Sequence, residues 1–297
     1  MSTDLQSQWR ENLKSVGGRL LCARLTHEQM QDIACDLARH DLNSENSAIS
    51  MALGQVCNER KVGTEHLSAV YFHQLNVLRR ESRWLLRETS FVEFRKQLQV
   101  KGQEWLKEAD GAPTVVISPM QVYPSDGVAV CASLFSGRRL AFYGEGLASE
   151  QYAHIESPIE FVKQGFAGVR AADEVLTNNG VFCTHPDFVH TSHGAVSGSL
   201  FGTDRPYASA FAQLCARPRC VLLPLNIDCR LDRVEVEFFE PTQMPDVPAK
   251  ELRTDETLSK VVRFVGSTLE SIIRRRPESW VLLNTLVMDC MGMAQVA

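Results

Sequence analysis

A change of pattern at Asp110-Gly111-Ala112-Pro113 limits the folds open to this chain more than any other feature. The residues before it read as a series of capped helices. The residues after it alternate between short β-branched runs, beginning at 114–118, and stretches with helical signals. Such alternation is typical of α/β folds, so we expect a central mixed sheet flanked by helices. The pattern divides the chain into a helical N-terminal region, residues 1–109, and an α/β domain, residues 110–297.

Capping residues predict where several helices begin. A Ser or Thr before a helical stretch accepts a hydrogen bond from the first turn, and a Glu three residues later completes a capping box. The expected helices are one over 27–40 capped by Thr26, one over 65–79 capped by Thr64, one from the Ser90/Glu93 capping box towards Asp110, one beginning at Ser157-Pro158-Ile159-Glu160, and two over 206–216 and 256–275.

Composition excludes several classes of protein. The chain has 297 residues and a formal net charge of -5, whereas proteins that bind nucleic acid usually display concentrated positive charge. Its nine cysteines include no C-x-x-C pair, so neither a disulfide framework nor a zinc knuckle is indicated. No apolar run approaches the ~20 residues that span a bilayer. We therefore expect no nucleic-acid partner, no transmembrane segment, and a cytoplasmic protein that is free or peripheral to the membrane.

Several segments after residue 110 fall in an order that resembles a known family. The segments are Met120-Gln121-Val122-Tyr123-Pro124-Ser125-Asp126, Asn179-Gly180-Val181-Phe182-Cys183 with Asp187, Leu200-Phe201-Gly202, Ala208 to Ala216 followed by Val221-Leu222-Leu223-Pro224, and Arg274-Arg275-Arg276-Pro277-Glu278-Ser279-Trp280. In order and spacing they resemble the lipid A biosynthesis (HtrB/LpxL-like) acyltransferases of the lysophospholipid acyltransferase superfamily, over roughly residues 64 to 285. Here Gln121 stands where that family has the His of its His-x4-Asp/Glu motif.

The resemblance implies a function and a set of site residues. It implies an acyltransferase-like protein that moves an acyl group from an acyl-carrier-protein or CoA thioester to a small-molecule amine or hydroxyl acceptor, without cofactor or metal. The absent anchor argues against lipid A as acceptor and favours natural product biosynthesis. Catalytic positions would be Gln121 and Asp126, although Asp126 can equally cap the following helix. Expected substrate contacts are Tyr123, Ser125, Phe201, and the cations Arg274 and Arg275, which can dock an acidic carrier or simply end a helix in solvent.

A glutamine amide cannot accept a proton near neutral pH, so the family's base has no equivalent at residue 121. The densest histidine cluster, in a loop after the strand predicted at 181–184, offers a replacement. Its members are His185, Asp187, His190 and His193. They can supply a relocated base oriented by a carboxylate, form a metal site, or be a solvated polar loop. If the base is there, these histidines should matter more for turnover than Gln121.

The residues leave three functions open. The first is the acyltransferase-like enzyme without the family His. The second is a catalytically silent partner subunit that binds an acyl chain or a carrier protein, and Gln121 is its main support. The third is a metal-dependent hydrolase built on the 185–193 loop. Since strand-to-helix loops of an α/β sheet open at one edge, we also expect Gln121 and Asp126 to line one pocket with that loop.

Overall fold

A computed structural model of the chain describes residues 15–44, 47–59, 61–144, 159–163, 165–188, 194–243, 251 and 254–290. The first part of the described chain is mainly helical. Its elements are α1 (Val16–Ala23), α2 (His27–Leu42), α3 (Ala48–Cys57), α4 (Thr64–Leu85), α5 (Phe91–Gln97), β1 (Leu98–Lys101) and α6 (Gln103–Glu108).

The remaining elements alternate between strand and helix. They are β2 (Thr114–Ile117), α7 (Pro124–Leu134), β3 (Leu140–Tyr143), β4 (Ile159–Val162), α8 (Phe166–Thr177), β5 (Val181–Thr184), β6 (Ala195–Leu200), β7 (Thr203–Ala208), α9 (Ser209–Cys215), β8 (Val221–Cys229), β9 (Val234–Phe238), β10 (Thr242–Gln243), α10 (Asp255–Arg275), a 3-10 turn (Pro277–Ser279) and α11 (Thr285–Cys290). The protein is therefore α/β.

Eight strands of the described chain form one mixed sheet in the order β1-β9-β8-β2-β5-β3-β4, with β10 paired to the start of β8. The strands β8, β2, β5, β3 and β4 run parallel, while β9 and β10 are antiparallel to β8. The carboxyl ends of β2, β5 and β8 consequently lie at the same edge. Polar residues that follow these three strands are brought together there.

The sheet is buried on both faces, as parallel strands covered by helices usually are. Val115 and Ile117 of β2 pack into the larger apolar cluster, which includes the helices α2 to α4 and α10. Val116, which points to the opposite face, packs with α7 and β9 in a second cluster. Within the part of the chain that the structure describes, no helix has both the length and the apolar character that crossing a bilayer requires.

The predicted mixed sheet flanked by helices is confirmed, and so is the helix after Thr26, whose capping box is completed by Gln29. Thr64 does not cap its helix, because the N-cap residue is Gly63 and Thr64 is the first helical residue. The boundary at residue 109 stays a prediction. The strand β1 comes from before that boundary and pairs with β9.

Three predicted helices differ from the structure. Residues 159–162 form β4 rather than the helix expected from Ser157, since Ile159, Phe161 and Val162 pair with β3. The capping box at Ser90 does open a helix, but this helix ends at Gln97, where β1 begins its pairing with β9. The helix expected over 206–216 begins at Ser209, because residues 203–208 form β7 of a hairpin with β6 that the sequence analysis did not predict.

Two glycines allow this hairpin to lie directly on α10. A Cβ atom at Gly198 of β6 would come within 2.3 Å of Val262 Cγ1 and 2.8 Å of the Tyr207 ring. A Cβ atom at Gly266 of α10 would come within 2.6 Å of the Ser199 carbonyl oxygen. The backbones can approach this closely only because neither position carries a side chain.

We expect Gly198→Ala to lower the free energy of unfolding by about 1–3 kcal/mol, the usual cost of overpacking a filled interior. Urea denaturation of the variant and the wild type measures the difference. Gly17→Ala is the matched control, since a Cβ atom there meets nothing within 4 Å and alanine favours the helix. Equal stability of Gly198→Ala and the wild type would show that the hairpin does not rest on α10.

Candidate functional site

The side chain of Gln121 is fully buried and makes three hydrogen bonds. Its Nε2 donates to Asn226 Oδ1 at 2.7 Å and to Ser279 Oγ at 3.0 Å, and its Oε1 accepts the Ile227 backbone N–H at 2.9 Å. Both amide hydrogens and the carbonyl oxygen are thereby occupied. In this arrangement Gln121 joins the loop after β2 to the end of β8 and to the 3-10 turn.

The neighbouring backbone of this loop is fixed by Asp187 and by the segment after the 3-10 turn. One carboxylate oxygen of Asp187 accepts the Met120 N–H at 2.9 Å and the Trp280 Nε1–H at 2.6 Å. The Val281 N–H donates to the Met120 carbonyl at 2.8 Å. The ring Nδ1 of His185 lies 3.1 Å from the Ser118 carbonyl oxygen. The loops after β2 and β5 therefore meet, through contacts that hold the backbone.

Asp126 belongs to a separate buried cluster beside α4. Its carboxylate accepts hydrogen bonds from Arg80 at 2.5 and 3.1 Å and from Trp84 Nε1 at 2.8 Å. Next to it, Glu81 accepts the Ser125 N–H at 3.1 Å. Burial raises the pKa of Glu81 to about 7, and the negative charge of Asp126 adds to this effect. Asp126 is thus ion-paired within the fold, and it does not cap α7 through its side chain.

The structure places the other predicted site residues in several separate surroundings, and among them Phe201 and Arg274 meet. Tyr123 is the N-cap residue of α7, and Ser125 is buried beside Glu81. Phe201 packs against Trp280, with the Arg274 guanidinium 5.0 Å from its ring centroid. Arg275 instead pairs with Glu237 at 3.1 Å. Gln121, Asp126 and Asp187 line none of three surface pockets, whose volumes are about 860, 480 and 270 Å³.

His190 and His193 lie outside the described residues. Among the residues that the structure does describe, no group of three or more His, Cys, Asp and Glu side chains has the arrangement of a metal site.

A pocket of about 480 Å³ opens where α2 and α4 meet the end of β8. It is lined by His27, Phe72, His73, Asn76, Asp228, Cys229, Arg230, Leu231, Arg233, Arg276 and Glu278, among others. Among the described residues that line a larger groove of about 860 Å³ over α3, Glu59 and Lys61 carry charge. The smaller pocket therefore carries the groups suited to acid–base chemistry. One of its lining residues, His73, is hydrogen-bonded to Gln121.

His73 provides this pocket with a neutral imidazole in a fixed tautomer. Its Nε2 lies 2.9 Å from the Gln121 carbonyl oxygen. A carbonyl oxygen can only accept, so Nε2 carries the hydrogen and Nδ1 keeps a free lone pair. Burial lowers the pKa of His73, an effect that the hydrogen bond to Gln121 and the charge of Asp228 only partly oppose. His73 is therefore uncharged near neutral pH and able to accept a proton.

Asp228 supplies the pocket with a buried carboxylate. It is ion-paired with Arg276 and with Arg230, whose Nε lies 2.7 Å away without the alignment of a hydrogen bond. Burial raises the pKa of Asp228, and the charge of Arg276 opposes that rise. Its Oδ1 is buried and has no hydrogen-bond partner within the described chain. The imidazole of His73, the carboxylate of Asp228 and the guanidinium groups that pair with this carboxylate thus line one cavity.

Neither His73 nor Asp228 was among the site residues predicted from the sequence. The available signal was on α4, where the polar residues His73, Asn76 and Arg80 recur at the spacing of a helix face that is otherwise buried. Buried polar side chains at such spacing need partners, and they mark a position that the rest of the fold must satisfy.

A comparison of the chain with protein-family models gave no match, and a comparison with curated protein sequences gave none either.

Gln121→Ala should lower the free energy of unfolding by about 2–4 kcal/mol, because it removes the hydrogen bonds that the amide makes to Asn226 Oδ1 and the Ile227 N–H and one of the two made by Ser279 Oγ. Urea denaturation measures the loss, and Gln99→Ala on the exposed side of β1 is the control. An unchanged stability would mean that the amide of Gln121 is available to a ligand.

Glu81→Gln should stabilise the protein increasingly as the pH rises. The folded-state pKa of Glu81 is raised to about 7, so its stabilising contribution is fully present below its unfolded pKa and is lost as the pH rises towards 7. Glutamine mimics the protonated acid, so the variant avoids this loss. The difference in unfolding free energy should grow by on the order of 1–3 kcal/mol between pH 5 and pH 8. Glu240→Gln, at an exposed position, is the matched control.

Proposed function

We propose that the protein is an acyltransferase-like enzyme that moves an acyl group from a CoA or acyl-carrier-protein thioester to an amine or hydroxyl acceptor. We further propose that His73 is its general base. The observation that carries the proposal is the neutral, tautomer-fixed imidazole of His73 in a pocket of about 480 Å³. The order of the family-like segments supports the choice of donor.

The state of Gln121 supports moving the base away from the family's position. An amide cannot take a proton near neutrality, and the three hydrogen bonds of Gln121 leave it no free group to offer a substrate. Its backbone carbonyl instead orients His73. Gln121 would thus act as a positioning residue through the imidazole, as the third member of a catalytic triad often does.

The chemical step needs only one proton carrier. The acceptor nitrogen or oxygen attacks the thioester carbonyl carbon, and its proton passes to Nδ1 of His73. The carbon–sulfur bond then breaks, and the leaving thiolate takes that proton from the imidazolium, which gives an amide or ester and a free thiol. The negative charge of Asp228 favours protonated His73 and so stabilises the intermediate state.

His73→Gln should lower kcat by about 10²–10⁴, because it keeps an N–H donor for the Gln121 carbonyl and removes the base. Release of free thiol from a medium-chain acyl-CoA, with a panel of small amines and alcohols as acceptors, measures the rate. His66→Gln, on the exposed face of the same helix, should retain the wild-type rate. Wild-type kcat should fall as the pH drops below the range in which His73 is neutral.

His185→Gln distinguishes this proposal from a base in the 185–193 loop. If His185→Gln abolishes thiol release while His73→Gln retains the full rate, the base lies in that loop and the assignment of His73 is wrong.

Because its hydrogen-bonding groups are all occupied, the side-chain amide of Gln121 also favours a second candidate function. This candidate is a catalytically silent protein that binds an acyl carrier or acyl group. The same assay separates the two. A wild-type protein that binds acyl-CoA by calorimetry but releases no thiol with any acceptor would establish the second candidate and exclude the first.

A further inference from the structure

A second pocket, of about 270 Å³, lies along α4 beyond the pocket that contains His73. Its lining includes Arg79, Arg80 and Arg83 of α4 and Leu231 of the β8–β9 loop. Leu231 also lines the first pocket, and its side chain is partly exposed between the two. The two cavities are therefore neighbours that share one apolar wall.

Residues of α4 that line the two pockets lie on one face of the helix. His73, Asn76, Arg79, Arg80 and Arg83 follow one another at the three- and four-residue spacing that aligns side chains along a helix. At 1.5 Å per residue, Arg79 lies about 9 Å and Arg83 about 15 Å along the helix axis from His73. The face thus connects an imidazole at one end with guanidinium groups at the other.

The positive charge at the far end is only partly neutralised. Arg80 is paired with Asp126, and Arg83 lies 4.0 Å from Glu88, which Arg24 already holds at 2.6 Å. Glu93, the other acidic residue of this pocket, accepts hydrogen bonds from Ser90 in a capping box.

Arg79 differs from these two arginines. It has no ion pair within the described chain, and its Nε is buried without a hydrogen-bond partner there. Burial lowers the pKa of Arg79, and the charges of Arg83 and Arg80 lower it further. An anion in this pocket would remove the repulsion and complete the hydrogen bonding of Arg79.

Asn76 adds an unsatisfied acceptor between the two ends. Its Nδ2 donates to the Cys229 carbonyl at 3.0 Å, while its buried Oδ1 has no partner among the described residues. Asn76 is 2% exposed, so this oxygen is not satisfied by bulk solvent. An amide N–H of a ligand in the pocket that Asn76 lines would supply the missing hydrogen bond.

We propose that this face of α4 binds a phosphopantetheine arm, with the phosphate at Arg79 and Arg83 and the thioester end at His73. Guanidinium groups bind phosphate with two parallel hydrogen bonds, and an amide N–H of the arm pairs with Asn76 Oδ1. The inference rests on the proposed function for the identity of the arm. It assigns residues to the donor, which CoA and an acyl carrier protein present in the same chemical form.

Isothermal titration calorimetry with phosphopantetheine and with pantetheine, which lacks the phosphate, tests the inference. The wild type should bind phosphopantetheine about tenfold or more tightly than pantetheine, as expected for charge-assisted hydrogen bonds. Arg79→Gln should reduce this ratio by about tenfold. The control Arg263→Gln, an exposed residue of α10, should retain the wild-type ratio. Circular dichroism verifies that each variant is folded.

Equal binding of the two ligands by the wild type, or binding of neither, would overturn the inference. So would an equal effect of Arg79→Gln and Arg263→Gln, or an affinity for inorganic phosphate as high as that for phosphopantetheine. CoA as a third ligand distinguishes the two possible sources of the arm. Tighter binding of CoA than of phosphopantetheine would show recognition of the nucleotide, whereas equal affinity would favour a carrier protein.

The binding test and the thiol-release test fail separately. A wild-type protein that prefers phosphopantetheine through Arg79 but releases no thiol retains the inference and loses the proposed activity. Thiol release that depends on His73, together with equal binding of phosphopantetheine and pantetheine, would support the proposed activity and overturn the inference.

Discussion

Gln121 holds together three parts of the chain that line the pocket of about 480 Å³. Its side-chain amide is hydrogen-bonded to Asn226 and Ile227 of β8 and to Ser279 in the 3-10 turn. Its backbone carbonyl is hydrogen-bonded to His73 of α4. A buried amide with every group satisfied rigidifies its surroundings, because any displacement leaves a polar atom without a partner in a medium of low dielectric constant. The imidazole of His73 is consequently held by a residue, Gln121, whose own position is fixed by its hydrogen bonds.

Much of the fold was predictable because its signals are local. The β-branched run at 114–117 predicts a strand and the capping box at Thr26 predicts a helix start, each from only a few neighbouring residues. The errors arose where a distant partner decides the outcome. The Ser157-Pro158-Ile159-Glu160 pattern is typical of a helix start, yet pairing with β3 makes residues 159–162 a strand, and β1 exists only because β9 lies beside it. Propensity within a segment cannot report such partners.

The candidate site was predictable only in part. The positions of the predicted strand ends indicated that the loops after β2 and β5 lie at one edge of the sheet, and Met120 and Asp187 do meet there. One carboxylate oxygen of Asp187, however, already accepts hydrogen bonds from the Met120 N–H and from Trp280. The open imidazole belongs to α4, where His73 looks from sequence alone like one polar residue on a mixed helix. Its chemical state depends on a carbonyl 48 residues away, which no local pattern encodes.

The separation of its partners along the chain gives the Gln121 amide a particular place in the order of folding. Its bonds to Asn226 and Ser279 span 105 and 158 residues. Contacts this distant form late, because the entropy of closing the intervening loop is lost before the contact contributes. During synthesis, Ser279 also emerges after every strand of the large sheet has been made. The strands can therefore pair while Ser279 has not yet been made, so the hydrogen bonds around the pocket are completed only after Ser279 has left the ribosome.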